Sequence, residues 1–227
     1  NGIIPGNVTF FNSLPYVILG GLQIVSSGSL TVNAGTKIYC HADAPILIDG
    51  TLICNGTKSQ PIIFAGDRLD DPYSTYPAAW PGIYFRTTSK NNLLQFTSVK
   101  NAYQAVVVFN PSVNTNPKLV MKQSIIDNAF YAALLCSNTN VVAENCLLSN
   151  SGRNVHIEKG GTYTFTNCTM PAYSNNFVLH KKPSVFLSDA DAASQTAPLS
   201  VVLRNCIIYG DAGFVDSDIQ TSKTGSS

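Results

Sequence analysis

The sequence predicts an all-β solenoid built from one short strand phrase that recurs along the chain. Three observations predict it: five copies of the phrase, alternation of apolar and polar residues within each copy, and a polar residue, usually asparagine, before a small anchor in four copies. The anchors are 27, 22, 22 and 38 residues apart, which is typical of coils whose insertions become loops. The anchors are Thr97, Ser124, Cys146, Cys168 and Cys206.

Adjacent residues differ in character in the same way in every copy. Three residues before the anchor the side chain is apolar, as in Ala143, Phe165 and Leu203, and two residues before it the side chain is polar. Because neighbouring side chains of a β-strand point to opposite sides, this pattern predicts a strand with one buried face. We therefore expect these three apolar residues to stack inside the solenoid, with their polar neighbours in solvent.

Asparagine residues occupy two columns of the repeat, and both columns predict corners. The first lies directly before the anchor and contains Asn145, Asn167 and Asn205, with Gln123 in an earlier copy. Asparagine tolerates left-handed backbone angles, so we expect the strand to bend there. The stacked amides of this column could also form a hydrogen-bonded ladder. The second column closes the phrase and predicts the next corner, at Asn101, Asn128 and Asn150.

The phrase of strand, asparagine corner, small residue and strand resembles the right-handed parallel β-helix proteins of the pectin-lyase-like superfamily. Gly-Ser-Leu-Thr-Val-Asn-Ala-Gly-Thr at 28–36, Asp-Gly-Thr-Leu-Ile-Cys-Asn-Gly-Thr at 49–57, and residues 61–64 and 80–85 are similar to the opening coils of surface β-helix proteins of Bacteroidetes-type bacteria. The resemblance covers roughly residues 16–210 and implies a single-stranded right-handed parallel β-helix with coils of roughly 22 residues. It implies little about activity, because many members have no assigned reaction.

One solenoid accounts for the whole chain of 227 residues. Residues 1–27 carry short apolar stretches broken by proline and glycine, and we expect them to cap the first coil, whose open end would otherwise expose unpaired backbone. We expect residues 28–211 to form the β-helix, with loop excursions at 65–82 and 181–198. Residues 212–227 are predicted to be a polar tail.

Composition limits the expected partners. Lys plus Arg exceed Asp plus Glu by one, and only 12% of the residues are charged. Nucleic acid needs a basic surface, so it is not an expected partner. The apolar runs are shorter than the ~20 residues of a transmembrane helix. The resemblance implies an extracellular or outer cell-surface protein whose export segment was removed before Asn1, and a monomer is favoured.

The six cysteines predict free thiols more than disulfides. Cys146, Cys168 and Cys206 fall in one column, where parallel strands hold Cβ atoms at ~4.8 Å, whereas a disulfide needs ~3.8 Å. Cys54 aligns with an inward position and has the same interpretation. No Cys-x-x-Cys pair or histidine cluster with zinc spacing occurs, so no structural metal is expected. The sequence does not decide whether Cys40 and Cys136 are free thiols or form disulfides.

The excursion at 65–82 is the first candidate site, since loops on a rigid solenoid commonly carry binding groups. It contains three prolines, three acids and the only tryptophan. Its aromatic residues predict a sugar platform and its acids a Ca²⁺ loop, although their spacing is not that of an EF-hand. The alternative is a loop that folds back and buries its aromatics, leaving its acids solvated. The candidate residues are Asp67, Asp70, Asp71, Tyr73, Tyr76 and Trp80.

A further strand follows each second-column asparagine, and its outward face is apolar. We take Ala133 and Leu135 as inward residues of the middle strand. An exposed apolar face either binds a partner or is covered, and residues 181–198 are the expected cover. The outward residues of this face are then Val107, Phe109, Leu134, Cys136, His156 and Glu158.

His156 and Glu158 are the second candidate site. They lie two residues apart on the last of these strands, so they should share one outward face. An acid/base pair needs two titratable groups within reach of each other, which makes them the candidate catalytic residues. The alternative is an ordinary solvated pair beside a glycine turn.

Two classes of function remain. As the resemblance implies, polysaccharide lyases on this fold need carboxylates that hold calcium beside a Lys or Arg base, and glycoside hydrolases need two carboxylates at ~5 to 9.5 Å. Val107 stands where an acid would be expected. We therefore predict a non-catalytic module that binds glycan or a partner protein, or has a structural or adhesin role. The alternative is a polysaccharide lyase or glycoside hydrolase, with Ca²⁺ as the cofactor to test.

Overall fold

The chain folds into parallel β-sheets with almost no helix. The computed structural model describes residues 2–211 and 215–225, so part of the predicted polar tail lies outside the described residues. Within them the strands form a 15-stranded sheet and an 8-stranded sheet, and their pairings are parallel. One 3-10 turn, Tyr73–Thr75, interrupts the strands. The predicted all-β class with parallel strands is confirmed, and the arrangement is consistent with a parallel β-helix.

The strands form three rows, because along most of the chain each strand pairs with the strand three places further on. The first row contains β1 (Gly2–Ile4), β4 (Leu22–Ile24), β7 (Ile46–Ile48), β10 (Ile83–Phe85), β13 (Gln104–Phe109), β20 (Val185–Ser188) and β23 (Ile219–Ser222). The second row contains β2 (Asn7–Phe10), β5 (Ser29–Asn33), β8 (Thr51–Asn55), β11 (Asn92–Gln95), β14 (Leu119–Lys122) and β21 (Leu199–Arg204). Two long strands belong to both rows, β16 (Ala132–Glu144) and β18 (Val155–Thr166). The third row is the separate sheet of β3 (Tyr16–Ile18), β6 (Lys37–Cys40), β9 (Ile62–Gly66), β12 (Thr97–Lys100), β15 (Ile125–Asp127), β17 (Leu147–Ser149), β19 (Thr169–Ala172) and β22 (Ile207–Gly210).

The register of the third row agrees with the spacing of the anchors. Ser98 pairs with Ile125, Ile125 with Leu147, Leu147 with Thr169, and Thr169 with Ile207. Paired residues are therefore 27, 22, 22 and 38 positions apart, as the anchors are. The repeated phrase thus marks the strands that lie next to each other in space.

The predicted inward column is present in the second row. Ala143 pairs with Phe165, and Phe165 pairs with Leu203. Ala143 and Phe165 are buried, whereas Leu203 is 36% exposed because it belongs to β21, which pairs with β18 alone. Beside this column, Lys122 and Glu144 point to solvent and form an ion pair at 3.4 Å. The alternation of apolar and polar residues is confirmed.

Both asparagine columns form corners with left-handed backbone. In the first column φ is 52° at Asn145 and 55° at Asn167, and in the second it is 61° at Asn101, 57° at Asn128 and 50° at Asn150. The location of the amide ladder was predicted wrongly, because Asn145 and Asn167 are solvent-exposed and their side chains make no hydrogen bond within the described residues. Hydrogen bonds between stacked amides occur in the second column instead, where Asn128 Nδ2 donates to Asn101 Oδ1 at 2.9 Å.

All six cysteines are free thiols, as predicted for four of them. Five are buried and Cys206, near the last strands, is partly exposed. Cys146 donates to the carbonyl of Glu144 at 3.4 Å, so a thiol here also satisfies part of the corner backbone. Burial raises the pKa of Cys40 to about 12, which keeps that thiol protonated and unreactive.

The predicted facing of β16 in the first row is wrong by one residue. Leu134 and Cys136, not Leu135, continue the inward column, because Leu134 pairs with Val106 and Cys136 with Val108, whereas Ala133 lies in the main core as predicted. The corner before Leu134 is one residue longer than the corners before its paired partners, Val106 and Val155. A one-residue slip moves every side chain of a strand to the other face. Leu135 therefore lies on the outward face, beside Val107 and His156.

The segments outside the regular repeat also supply strands. Strands β1 to β4, within the expected cap, pair onto the rows that follow them. The excursion at 181–198 contains β20, which pairs with β18. Strand β23 lies in the predicted tail and pairs with β20, while Asn1 and residues 212–214 and 226–227 lie outside the described residues.

Candidate ligand-binding surfaces

The three acids of the 65–82 excursion have separate partners. Asp67 accepts a hydrogen bond from His41 at 2.7 Å, and Asp70 accepts two from Arg68 at 2.8 Å. Asp71 accepts from the hydroxyl of Ser74 at 3.2 Å. The Arg68 guanidinium lowers the pKa of Asp70 to about 2. Residues 2–211 and 215–225 contain no group of three His, Cys, Asp or Glu side chains positioned for a metal ion, and the Ca²⁺ loop stays a prediction.

Trp80 is a core residue. Its side chain is 1% exposed, and its Nε1 donates to the carbonyl of Lys100 at 2.9 Å. Trp80 also forms a parallel bridge with Ala102, so the end of the excursion packs onto the corner at Asn101. The structure thus attaches the loop to the parallel sheets through its tryptophan, and of the aromatic rings of the loop only the tyrosines lie near the surface.

Tyr73 and Tyr76 join the excursion to a second loop, residues 173–182. The Arg68 guanidinium lies 3.9 Å from the Tyr73 ring centroid, and the rings of Tyr73 and Tyr76 are 5.4 Å apart. The Tyr76 ring is 4.5 Å from that of Phe177, which is 46% exposed. Two loops about 100 residues apart in sequence therefore meet above the second asparagine column.

Between these loops is a groove of about 420 Å³, which we call the amide groove. The second asparagine column and Asp127 line it on the side of the strands, and backbone and side chains of both loops line the rest. Asn101 Nδ2 donates to the carbonyl of Ser74 at 2.7 Å. The lining residues are Ser74, Thr75, Lys100, Asn101, Asp127, Asn128, Asn150, Asn175, Asn176 and Phe177.

The amides of the groove are fixed by the chain itself. Besides its bond to Asn101, Asn128 Nδ2 donates to the carbonyl of Thr75 at 2.9 Å. Asn150 Nδ2 donates to Asp127 Oδ1 at 3.1 Å, and the hydroxyl of Ser149 donates to the same oxygen at 2.6 Å. Asn128 Oδ1 is buried and has no partner within the described residues. An acceptor that the chain leaves unpaired is thus present at this wall of the groove.

A second surface lies on the outward face of the first row and consists of stacked rings. Adjacent ring centroids are 5.7 Å apart for Phe130 and Tyr103, 6.2 Å for Tyr103 and Tyr131, 5.7 Å for Tyr131 and His156, and 5.3 Å for His156 and Phe186. We call these five residues the outer ring row. Tyr103 and Phe130 are 43% and 48% exposed, so one end of the row faces solvent.

The outer ring row closes over the apolar strip that the sequence predicts. Val107, Ala132 and Leu135 are buried there against Tyr84, Phe109 and Tyr131. Of the predicted cover, residues 181–198, two members reach this face: Phe186 contacts His156, and the Lys182 ammonium lies 5.7 Å from the Tyr131 ring. The strip is therefore covered mainly by two rings of its own strands, Tyr84 and Phe109, and by Tyr131 from a corner.

His156 lies on the outward side of β18, as predicted, but is only 6% exposed. Burial, and then the charges of Arg153 and Lys182, lower its pKa to about 4, so the imidazole is neutral at physiological pH. Its Nδ1 is buried without a hydrogen-bond partner within the described residues. The ring therefore sits among cations and aromatic faces with one nitrogen unpaired.

The structure does not bring His156 and Glu158 together as an acid/base pair. No hydrogen bond or ion pair joins them in the described part of the chain. Glu158 pairs in register with Ser137, one outward position further along the strand. Burial and the neighbouring charge of Asp191 raise the pKa of Glu158, whereas the causes acting on His156 come from Arg153 and Lys182.

Sequence reasoning missed most residues of these two surfaces. Tyr103 and Phe130 both stand two residues after a second-column asparagine, which is a repeat signal that predicts ring stacking. Arg153 and Lys182 give no such signal, because β18 and the 173–182 loop come together only in the folded chain. The contact of Tyr76 with Phe177 is equally invisible in the sequence.

No protein-family model, curated protein or solved structure matches the chain. Within residues 2–211 and 215–225 there is also no helix with the length and apolar character needed to span a bilayer. The function is therefore argued from the geometry of the amide groove and the outer ring row.

Proposed function

We propose that the chain is a right-handed parallel β-helix of the pectin-lyase-like type, with coils of roughly 22 residues, that binds glycan without cleaving it at the outer cell surface or outside the cell. The parallel registers and the return of every third strand to the same row support the fold. The observation that carries the function is the amide groove, where amides, hydroxyls and one aromatic ring line a single cleft.

A sugar suits the chemistry of this cleft. A volume of about 420 Å³ falls in the range of small-ligand sites. Side-chain amides can both donate to and accept from hydroxyl groups, and Asn128 Oδ1 has no partner of its own. The exposed ring of Phe177 offers an apolar face, against which the C–H face of a sugar ring can pack. Because the amides are held in place beforehand, a ligand would order few side chains on binding.

Binding without cleavage is favoured by the distribution of acids. Asp127 is the one carboxylate among the lining residues in the described part of the chain, and its Oδ1 already accepts bonds from Ser149 and Asn150. Glycoside hydrolysis commonly uses two carboxyl groups on either side of the scissile bond. The rival function, a polysaccharide lyase or hydrolase, would need a second carboxylate to join Asp127 on ligand binding.

The test is a glycan array combined with an assay of the bound chains. We expect ligands that bind and are recovered intact, without new reducing ends or unsaturated products. Phe177→Ala should weaken binding about tenfold, whereas Phe11→Ala, at a 55% exposed phenylalanine far along the chain, should not. Cleavage products would overturn the non-catalytic assignment. Unchanged binding by Phe177→Ala would remove the amide groove as the site.

A further inference from the structure

The outer ring row holds two cations that the chain does not pair with acids. The Arg153 guanidinium lies 4.4 Å from the Phe186 ring centroid, and its Nε is buried without a hydrogen-bond partner within the described residues. Lys182 is exposed, and its ammonium contacts the ring of Tyr131. No carboxylate lies within ion-pair distance of either group in the part of the chain that the structure describes. Aromatic faces stabilise both cations but leave their hydrogen-bond donors free.

Several other cations of the protein have partners within the chain. Buried Lys118 donates to three backbone carbonyls at 2.7 to 3.2 Å. Four further cations form ion pairs with carboxylates: Arg68 with Asp70, Arg86 with Asp49, Lys122 with Glu144, and Lys159 with Asp191. Burial lowers the pKa of Arg153, because the half-buried guanidinium loses solvation that no acid among the described residues replaces. An external anion would supply the missing partner.

His156 lies between the two cations and adds a neutral donor. Its ring contacts those of Tyr131 and Phe186, the rings over which Lys182 and Arg153 are placed. A neutral imidazole carries one N–H, and its orientation is limited by both flanking rings. The site therefore combines two positive groups and one N–H within the covered end of the row. Glu158 lies one outward position away in the register and forms no contact with this cluster in the described residues.

We propose that Arg153, Lys182 and His156 bind the oxyanion of an acidic glycan, a sulfate or a carboxylate, while a neighbouring sugar ring of the same glycan chain stacks on the exposed aromatic end of the row. The cations suit an oxyanion because guanidinium and ammonium form charge-assisted hydrogen bonds with it. The stacked, 43% and 48% exposed rings of Tyr103 and Phe130 provide the apolar surface for the sugar. This proposal rests on the proposed glycan-binding function and adds the charge class of the ligand and a second contact surface.

The experiment compares three probes on the full chain: a sulfated galactan, the same galactan after desulfation, and polygalacturonate. We expect the wild-type protein to bind one or both acidic probes at least tenfold more tightly than the neutral one, with a preference that weakens as salt is added. Binding of the sulfated probe alone identifies a sulfate site, and binding of polygalacturonate alone identifies a carboxylate site. Equal affinity for neutral and acidic probes would overturn the proposal and leave the amide groove unaffected.

The variants separate local binding from net charge. Arg153→Gln with Lys182→Gln should abolish the preference for acidic probes, whereas Arg204→Gln with Lys58→Gln removes the same charge elsewhere and should preserve it. Lys182 is exposed, so Lys182→Gln alone tests the site even if the Arg153 change destabilises the fold. Preference retained in the first pair, or lost equally in both, would contradict the site. Absence of binding to every glycan would instead count against the proposed function itself.

Discussion

The asparagine column of the amide groove and the outer ring row lie two residues apart, at Asn101 and Tyr103, yet the two surfaces differ in how fully the chain pairs their polar groups. In the groove the chain pairs its own amides, as Asn128 does with Asn101 and Thr75. In the ring row Arg153 and His156 keep buried nitrogens without partners among the described residues. We infer that the groove is organised before a ligand binds, whereas an anion bound at the ring row would supply a partner to these buried nitrogens.

The largest effect is expected from breaking the attachment of the groove. Trp80→Ala removes a 1% exposed indole and the bond from its Nε1 to Lys100, so we expect a loss of about 3 to 5 kcal/mol in the free energy of unfolding. Urea denaturation measures it. Tyr73→Ala, at a 43% exposed ring of the same loop, is the control and should cost less than about 1 kcal/mol. Equal losses would show that the loop is not attached through Trp80.

The next largest effect is a pH dependence that belongs to the ring row. The pKa of His156 is about 4 in the folded chain and ~6.5 when unfolded, so the unfolded state binds the extra proton between these values. Stability should therefore be unaffected above pH ~6.5 and fall as the pH is lowered to about 4, by about 3 kcal/mol at most.

Urea denaturation of wild type and His156→Phe at several pH values checks this dependence. The difference between the two proteins isolates His156 from the carboxylates that also titrate in acid. His41→Gln is the control, because Asp67 raises the pKa of exposed His41, which is the opposite direction. If His156→Phe keeps the full acid sensitivity of the wild type, the buried neutral imidazole is not its source.

A smaller effect is expected for the contact between Tyr76 and Phe177, which joins the two loops of the amide groove. A double-mutant cycle of Tyr76→Ala and Phe177→Ala should give a coupling of about 0.5 to 1.5 kcal/mol, as expected for one aromatic pair. Binding of a neutral glycan and denaturant unfolding are both suitable measurements. The pair of Tyr76→Ala with Phe11→Ala should be additive. A coupling near zero would mean that the loops shape the groove independently.

The smallest effect is expected where neither surface is involved. Lys122 and Glu144 are 42% and 45% exposed, and their ion pair is solvated. Lys122→Met should change the free energy of unfolding by no more than about 0.5 kcal/mol and leave both neutral and acidic glycan binding unchanged. Thermal and urea unfolding with the binding assays test this. A larger change would show that this exposed pair on the second row contributes more than a solvated surface ion pair does.

The fold was predictable at those positions of the repeated phrase where the type of residue alone determines whether it is buried or forms a corner. The inward placement of Ala143 and Phe165 and the corners at Asn128 and Asn150 follow from local rules, because alternation and left-handed tolerance are properties of single positions. The facing of Leu135 was not predictable in this way. One extra residue in the preceding corner shifts the register, and nothing in β16 itself signals that shift.

The surfaces were predictable only in part, for a similar reason. Tyr76 was identified as a candidate, but its partner Phe177 lies about 100 residues further on and meets it only in the folded chain. His156 was identified from its expected outward position, but its burial depends on Tyr131 and Phe186 from neighbouring strands. Composition, with a net charge of +1, gave no indication of a local excess of positive charge.

The three stacked asparagines of the second column, Asn101, Asn128 and Asn150, also set the length of the amide groove. Adjacent strands of a parallel sheet are ~4.8 Å apart, so Asn101 and Asn150, two steps apart, are separated by about 10 Å along the stack. One loop contacts Asn101 through the carbonyl of Ser74, and the other contributes Asn175 to the same groove. The length of the groove is thus set in units of strand spacing, and adding or removing one turn of chain between the loops would lengthen or shorten it by about 5 Å.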